Sequence, residues 1–353
     1  MKKSFRKAPR FPLMSINDPV TADKLPPLVR VELVQPRRWW PRILFVLFVF
    51  SCMVNLLLLF TTAAIVGGNV DGRETLVSGD PTSTDKIAII DITGTIMPPF
   101  TERTLKTIDA LIADDDVKGV LLSVDSPGGL VADSHQIYDR LTKLRQKKPI
   151  YVQMKRLAAS GGYYVSMGAG PEGKIFAEPT TWTGSIGVII PRYDVSKLAT
   201  DYGVKSDPLV TGPFKDSLSP FKEMAPEETE LWKEIMADSF DRFKGVIDEG
   251  RANLTLEQIA PLATGRIFTA NQAKAAGLVD EIGFEADALE ALKTKLGLTS
   301  VKIVRHEQPP TLLDTLLGGQ IRAPQADPLK TFLDASTPKA MYFFGWQAGL
   351  TTP

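Results

Sequence analysis

Histidine and cysteine are almost missing from this 353-residue chain. His135 and His306 are the only histidines, and Cys52 is the only cysteine. Neither histidine has a ligand-spaced partner, so the usual zinc patterns are excluded, and neither a metal nor another cofactor is expected. One cysteine rules out a disulfide framework, and a folded domain of this chain must rest on its hydrophobic core. Net charge is also absent, with 41 basic and 41 acidic residues. That balance hides an asymmetry. Residues 1–42 hold ten Lys/Arg against three acids, which leaves the remainder acidic by about seven charges. An acidic body gives no support for nucleic-acid binding.

Charge disappears altogether from Ile43 to Val70, a run of 28 residues. A bilayer core of about 30 Å is crossed by about 20 apolar helical residues, so this run is long enough. Trp39 and Trp40 stand at its start, Arg37, Arg38 and Arg42 flank it on one side, and Asp71 and Glu74 follow. The positive-inside rule then puts the N-terminus in the cytoplasm and everything after about residue 70 outside. A buried core helix is a competing reading. So is a cleaved signal peptide, although the run is long for one and begins 42 residues in. The expected organisation is a basic arm (1–42), a transmembrane helix (43–66), a linker (67–85, with Gly, Pro, Ser, Thr and Asp dense in 71–85), a folded domain (86–306) and a Pro-rich tail (307–353).

Strand-like and helix-like stretches alternate within the domain. Strands are expected at 86–96, 119–124, 150–154, 174–177, 186–190 and 301–304. Helices are expected at 104–113, 132–145, 160–167, 195–202, 226–251 and 286–296. This alternation implies an α/β domain with a largely parallel sheet. In the long helix at 226–251, Leu231, Ile235, Met236, Phe240, Phe243, Val246 and Ile247 form one apolar stripe, facing either the core or another subunit.

Three motifs carry chemistry. Leu157-Ala-Ala-Ser160-Gly-Gly-Tyr-Tyr164 puts a serine at a strand-to-helix junction, where Gly161 leaves a backbone N–H open beside the hydroxyl. Asp125-Ser-Pro-Gly128-Gly129 follows a buried strand, and glycines there let backbone N–H groups converge on an anion. Thr211-Gly-Pro-Phe-Lys215-Asp216 offers an amine. Each has a plainer reading when it stands alone: a helix cap, an ordinary turn and a solvated lysine. A serine nucleophile needs a base. At an ordinary lysine pKa near 10.4, only about one amine in 2,500 is neutral at pH 7, so a lysine base calls for a dry pocket, such as a subunit contact.

In this order, the three motifs resemble the signal peptide peptidase A (SppA) family. So do Thr183-Gly-Ser-Ile-Gly-Val188, Ser219-Pro-Phe-Lys-Glu-Met224 and the stretch from Thr264-Gly-Arg-Ile-Phe to Asp280-Glu-Ile-Gly283. The resemblance covers about residues 85–300. It implies a Clp protease/crotonase-like α/β fold of repeated strand-strand-helix units, with Ser160 as nucleophile and Lys215 as general base. Related Clp proteases carry a histidine in the region of Ser185, and serine here favours the lysine mechanism, with Ser185 orienting the amine. Gly128, Gly129 and Gly161 are the expected oxyanion donors. Family members of this length form rings in which serine and lysine come from neighbouring protomers. The expected activity is endopeptidase action on residual signal peptides or other apolar peptides at the outer face of a bacterial membrane. The rivals are a non-catalytic peptide-binding scaffold and an acyl-CoA enzyme on the same fold.

Overall fold

A computed structural model describes residues 39–67, 73–307 and 341–343. The basic arm expected at 1–42 lies almost wholly outside the described residues, as does most of the tail. The chain divides into two compact units, Met1–Ala64 and Ile65–Pro353. The described part of the first lies almost wholly in helix α1 (Trp40–Gly67), whose last three residues fall in the second. Over Trp40–Leu58 this helix is long and apolar enough to cross a membrane, and its side chains there are exposed.

The second unit is built on a mixed sheet. Its first strands are β1 (Arg73–Gly79), β2 (Lys86–Thr93), β3 (Val117–Ser126), the short β4 (Gly128–Leu130) and β5 (Ile150–Ala159). After them come β6 (Ile175–Ala177), β7 (Trp182–Gly184), β8 (Ile267–Thr269), β9 (Glu281–Ile282) and β10 (Lys302–Glu307). The order across the sheet is β1-β10-β2-β3-β5-β6-β9, with β7 on β5 and β8 on β7. All pairs are parallel except β1 with β10 and β7 with β8. A further strand, β11 (Met341–Phe343), pairs antiparallel with β4.

Two-residue periodicity sends the side chains of each central strand to opposite faces, and both faces are covered. Ala88, Ile90, Leu122 and Val152 join a large core with Ile108 and Leu111 of α2 (Phe100–Ala113) and Ile137 and Leu141 of α3 (Val131–Arg145). After the short helices α4 (Gly161–Ser166) and α5 (Ser196–Asp201), Phe243, Val246 and Ile247 of α6 (Pro226–Gly250) close that side. Ile87, Ile89, Leu121 and Tyr151 form a smaller core with Leu289 and Leu292 of the helix at Glu285–Leu296. The apolar stripe of α6 is therefore divided: Phe243 to Ile247 are core, whereas Ile235 is 40% exposed.

Three expectations are corrected. The strand expected to end at Met154 runs on to Ala159, because the second half of β5 leaves β6 and pairs with β7. No strand forms at 186–190. Gly184 (φ 86°) and Ser185 (φ 51°) turn the chain away, and only a single bridge from Ile189 to Met341 remains. Residues 73–79, within the stretch read as linker, form β1 and cover the edge of β10, which would otherwise expose unpaired backbone.

Arg251, just past α6, ties that helix to the sheet. Its guanidinium donates to both Asp280 oxygens (2.8 and 2.6 Å) and to Gly277 O (3.0 Å), and Asp280 also accepts from Ile175 N at 2.8 Å. The Arg251 side chain is 4% exposed. Removing one partner strands a buried charge, so Asp280→Ala should lose about 3 kcal/mol in urea unfolding. Asp201→Ala, which breaks the exposed Lys197–Asp201 pair, should lose less than about 0.5 kcal/mol.

Candidate active site

The end of β3 sets one wall of the site. Ser126 Oγ donates to Gly94 O (2.6 Å) and accepts from Gly128 N (3.1 Å), folding the chain tightly around Pro127. Gly128 has φ 96°. The next residues are stitched to Ile96: its N–H donates to Gly128 O and its carbonyl accepts from Leu130 N, both at 2.9 Å. A Cβ on Gly129 would strike Ile96 O at 1.9 Å.

The end of β5 sets the other wall. Ser160 sits at φ 56°, ψ −115°, a conformation that costs an L-residue about 1–3 kcal/mol. It is held from both sides, since Ser160 N donates to Gly184 O at 2.7 Å and Ser160 O accepts from Tyr164 N at 2.9 Å. Its side chain is 1% exposed, yet Oγ has no hydrogen-bond partner among the described residues.

The two walls touch through glycine. A Cβ on Gly161 would lie 3.0 Å from both Gly128 Cα and Gly129 N, and one on Gly128 would lie 2.5 Å from Gly161 N. Any side chain at these positions would part them. Gly128, Gly129, Ser160 and Gly161 are thus brought into one place. Ser185 is beside them, following the glycine whose carbonyl anchors Ser160; it is 6% exposed, and its N–H donates to Arg266 O at 2.8 Å.

Lys215 is elsewhere in the bonding scheme. It lies in a run of turns at 213–218 with an exposed side chain, and its ammonium has no hydrogen bond or ion pair among the described residues. The loop itself is tightly held. Lys222 Nζ binds Asp216 Oδ1 and Glu228 Oε1, each at 2.7 Å. Trp232 Nε1 donates to Ser217 Oγ at 3.1 Å, and Arg192 binds Ser219 O at 3.2 Å and also Lys222 O. The bonds to Asp216 and Glu228 raise Lys222 above the usual lysine value. Two lysines seven residues apart therefore differ in kind: Lys222 is locked as a cation, and Lys215 is unpaired. Exposed apolar residues are frequent in this part of the chain: Tyr202, Val204 and Phe221 line one groove, Leu209 and Val210 are exposed, and the exposed Phe214 precedes Lys215.

Both histidines lie outside this bonding scheme. His135 Nδ1 bonds Tyr164 OH at 2.8 Å, and His306 packs against Glu74, where burial lowers its pKa. Two residues escaped the sequence reading. Lys222 is one, because its carboxylate partners declare themselves only in the fold. Ser134 is the other: it is fully buried, with Oγ unpartnered and 2.6 Å from where a Gly161 Cβ would sit.

The family model described as Peptidase family S49 matches residues 142–299, and the Clp protease family model matches 81–184. A protein of Enterococcus faecium named "Putative signal peptide peptidase SppA" is 35% identical over 79% of this chain and 86% of its own length. Protease 4 of Salmonella typhi is 34% identical over 63% of this chain, which spans only 36% of that longer protein. Serine protease SPPA, chloroplastic, of Arabidopsis thaliana is 29% identical over 62% of this chain and 32% of its own length. With its Clp protease-like α/β fold, the chain belongs to peptidase family S49, the SppA family of serine proteases.

Proposed function

We propose that this chain is a membrane-anchored serine endopeptidase that cuts apolar peptides, such as residual signal peptides, with Ser160 as nucleophile and Lys215 as general base. The observation that carries the reading is Ser160 itself: a strained backbone, and a buried hydroxyl without a partner beside the joined glycine walls. Strain held by flanking hydrogen bonds is characteristic of working residues. In the reaction, Ser160 Oγ attacks the scissile carbonyl and passes its proton to the neutral Lys215 amine. The carbonyl oxygen, now negative, is received by N–H groups of Gly129 or Gly128 and Gly161, an interaction worth about 10²–10³ in rate per donor. Lys215 returns the proton to the leaving amine, and water then hydrolyses the acyl-enzyme. Ser185 orients the lysine amine.

The base comes from a second copy of the chain. Support lies in the contrast between Ser160, whose hydroxyl is buried without a partner among the described residues, and Lys215, which is exposed on its own protomer in a segment with several exposed apolar residues. Exposed apolar patches of this kind mark association sites. Burying the patch against a neighbour in a ring removes water from the Lys215 ammonium and favours the neutral amine. Helix α1 anchors the assembly, with the N-terminal arm in the cytoplasm and the catalytic unit outside. The tether keeps the site at high effective concentration near membrane-derived peptides.

Three outcomes are expected. Ser160→Ala and Lys215→Ala should each lower peptide hydrolysis by at least about 10³-fold, and the double variant should lose no more than either single one, because the residues act as a unit. Lys215→Arg should be equally inactive, since guanidinium stays protonated; substantial turnover in any of these removes the dyad. Mixing inactive Ser160→Ala and Lys215→Ala subunits under exchange should restore part of the activity, and silence of every mixture would place both residues in one protomer. Protease added to spheroplasts should digest the catalytic unit and spare an N-terminal tag, and a protected catalytic unit would invert the topology.

A further inference from the structure

Helix α1 carries an amide where a membrane span has least use for one. From Ile43 to Leu58 every side chain is apolar except Ser51, Cys52 and Asn55. Asn55 stands within two residues of the middle of the uncharged run Ile43–Val70, about 2 Å from its centre at the helical rise. At that depth a bilayer offers no water to satisfy a polar group. The Asn55 Nδ2 donates back to Ser51 O at 2.7 Å and lies 3.4 Å from Ser51 Oγ. Those contacts use the donor end only. Oδ1 accepts no hydrogen bond among the described residues, and Asn55 is exposed on the helix surface.

The three polar residues share one face. With 3.6 residues per turn they fall within an arc of about 100°, and Asn55 lies inside it. Leu44, Phe48, Ser51, Asn55 and Leu58 follow one another at spacings of four, three, four and three residues. That is the seam of a left-handed helix pair, the commonest crossing in membranes. The opposite face, at Val46, Phe50, Met53 and Leu57, is wholly apolar. A partner for Oδ1 must therefore come from another helix, and a second copy of the chain supplies it by symmetry. Copies inserted with one orientation lie parallel, so Asn55 meets Asn55 at the same depth. An amide is its own complement: the second Nδ2 hydrogen of one copy donates to Oδ1 of the next. A single Asn in such a seam also fixes its register.

We propose that α1 is a self-association surface as well as an anchor: copies of the chain pair in parallel along the Leu44–Leu58 seam, with Asn55 bonded to Asn55 across it. The assignment rests on the membrane-anchor reading of α1 above. Its consequence for the site is one of concentration. A catalytic site completed between copies forms more readily when their anchors already stand side by side.

The test uses the full-length chain in lipid vesicles, with Cys52→Ser as background and one cysteine returned at a chosen position. Phe48→Cys and Leu58→Cys lie on the seam, and Phe50→Cys and Leu57→Cys on the opposite face. Oxidation with copper phenanthroline should link seam positions into dimers at least about tenfold faster than the others, because a disulfide needs Cα atoms within about 7 Å. Asn55→Leu should cut seam crosslinking at a fixed lipid ratio by about 3- to 30-fold, the worth of one interhelical hydrogen bond in a bilayer. Asn55→Gln keeps the amide and should retain it. Leucine favours insertion, so the loss cannot come from a misplaced anchor. Equal crosslinking on both faces, or seam crosslinking indifferent to Asn55→Leu, would overturn the proposal. Carbonate washing of the same vesicles separates the pairing from the anchor. A chain retained by the wash yet never crosslinked through α1 refutes the pairing alone, and a chain released by it removes both. A cysteine-bearing signal peptide added to the vesicles tests a rival occupant: seam disulfides to it in place of dimers would also overturn self-association.

Discussion

The site hangs on the backbone of Ser160. Its φ of 56° is unfavourable for any residue with a side chain, and two hydrogen bonds hold it there, one to Gly184 O and one from Tyr164 N. Each bond makes a demand on the fold. The first needs β5 to outrun β6 and find β7 alongside. The second needs the helix after Ser160 to begin at once, which Gly161 and Gly162 allow: a Cβ on Gly162 would press on Ser126 O at 2.7 Å. The turn at Gly184 and Ser185 then ends β7 at the height of the nucleophile. All of this sits at the carboxyl ends of parallel strands, where open α/β sheets carry their chemistry.

The two lysines of the 211–224 segment divide the electrostatic work. Lys222 spends its charge on two carboxylates and fixes the loop to the start of α6. Lys215 has no such partner among the described residues, and its side chain is exposed. A cation paired with two acids cannot serve as a base, because both partners favour its protonated form.

The sequence made some of this plain and concealed the rest, for reasons visible in individual residues. Motifs made of adjacent residues were readable: the serine with its following glycines, and the Ser-Pro-Gly-Gly turn, announce their backbone geometry locally. Most strands and helices were found within a few residues because apolar periodicity is also local. What failed depended on distant partners. Lys155–Ala159 is strand because β7 and the end of β3 pair with it, 186–190 is not strand because Ser185 turns away, and β1 exists only against β10, some 230 residues later. The link between Lys222, Asp216 and Glu228 could not be told from ordinary surface charge. Lys215 was singled out by family resemblance; composition alone made it one lysine among many.

The anchorage of that loop has one more property. The bond from Lys222, followed by that from the Ala225 N–H, holds the Glu228 carboxyl below its ordinary value of 4.5. A depressed acid stabilises the fold fully above its unfolded value and loses that contribution as pH falls through the lowered one. The clasp is therefore indifferent to pH across the neutral range and opens only in acid. The apolar core beneath α6 contains no such ionisable clasp at Phe243, Val246 and Ile247. Acid loosens this one clasp, whereas the bonds from Trp232 to Ser217 and from Arg192 to Ser219 O involve no titrating acid and still hold the segment, so its anchorage is graded with pH rather than lost at once.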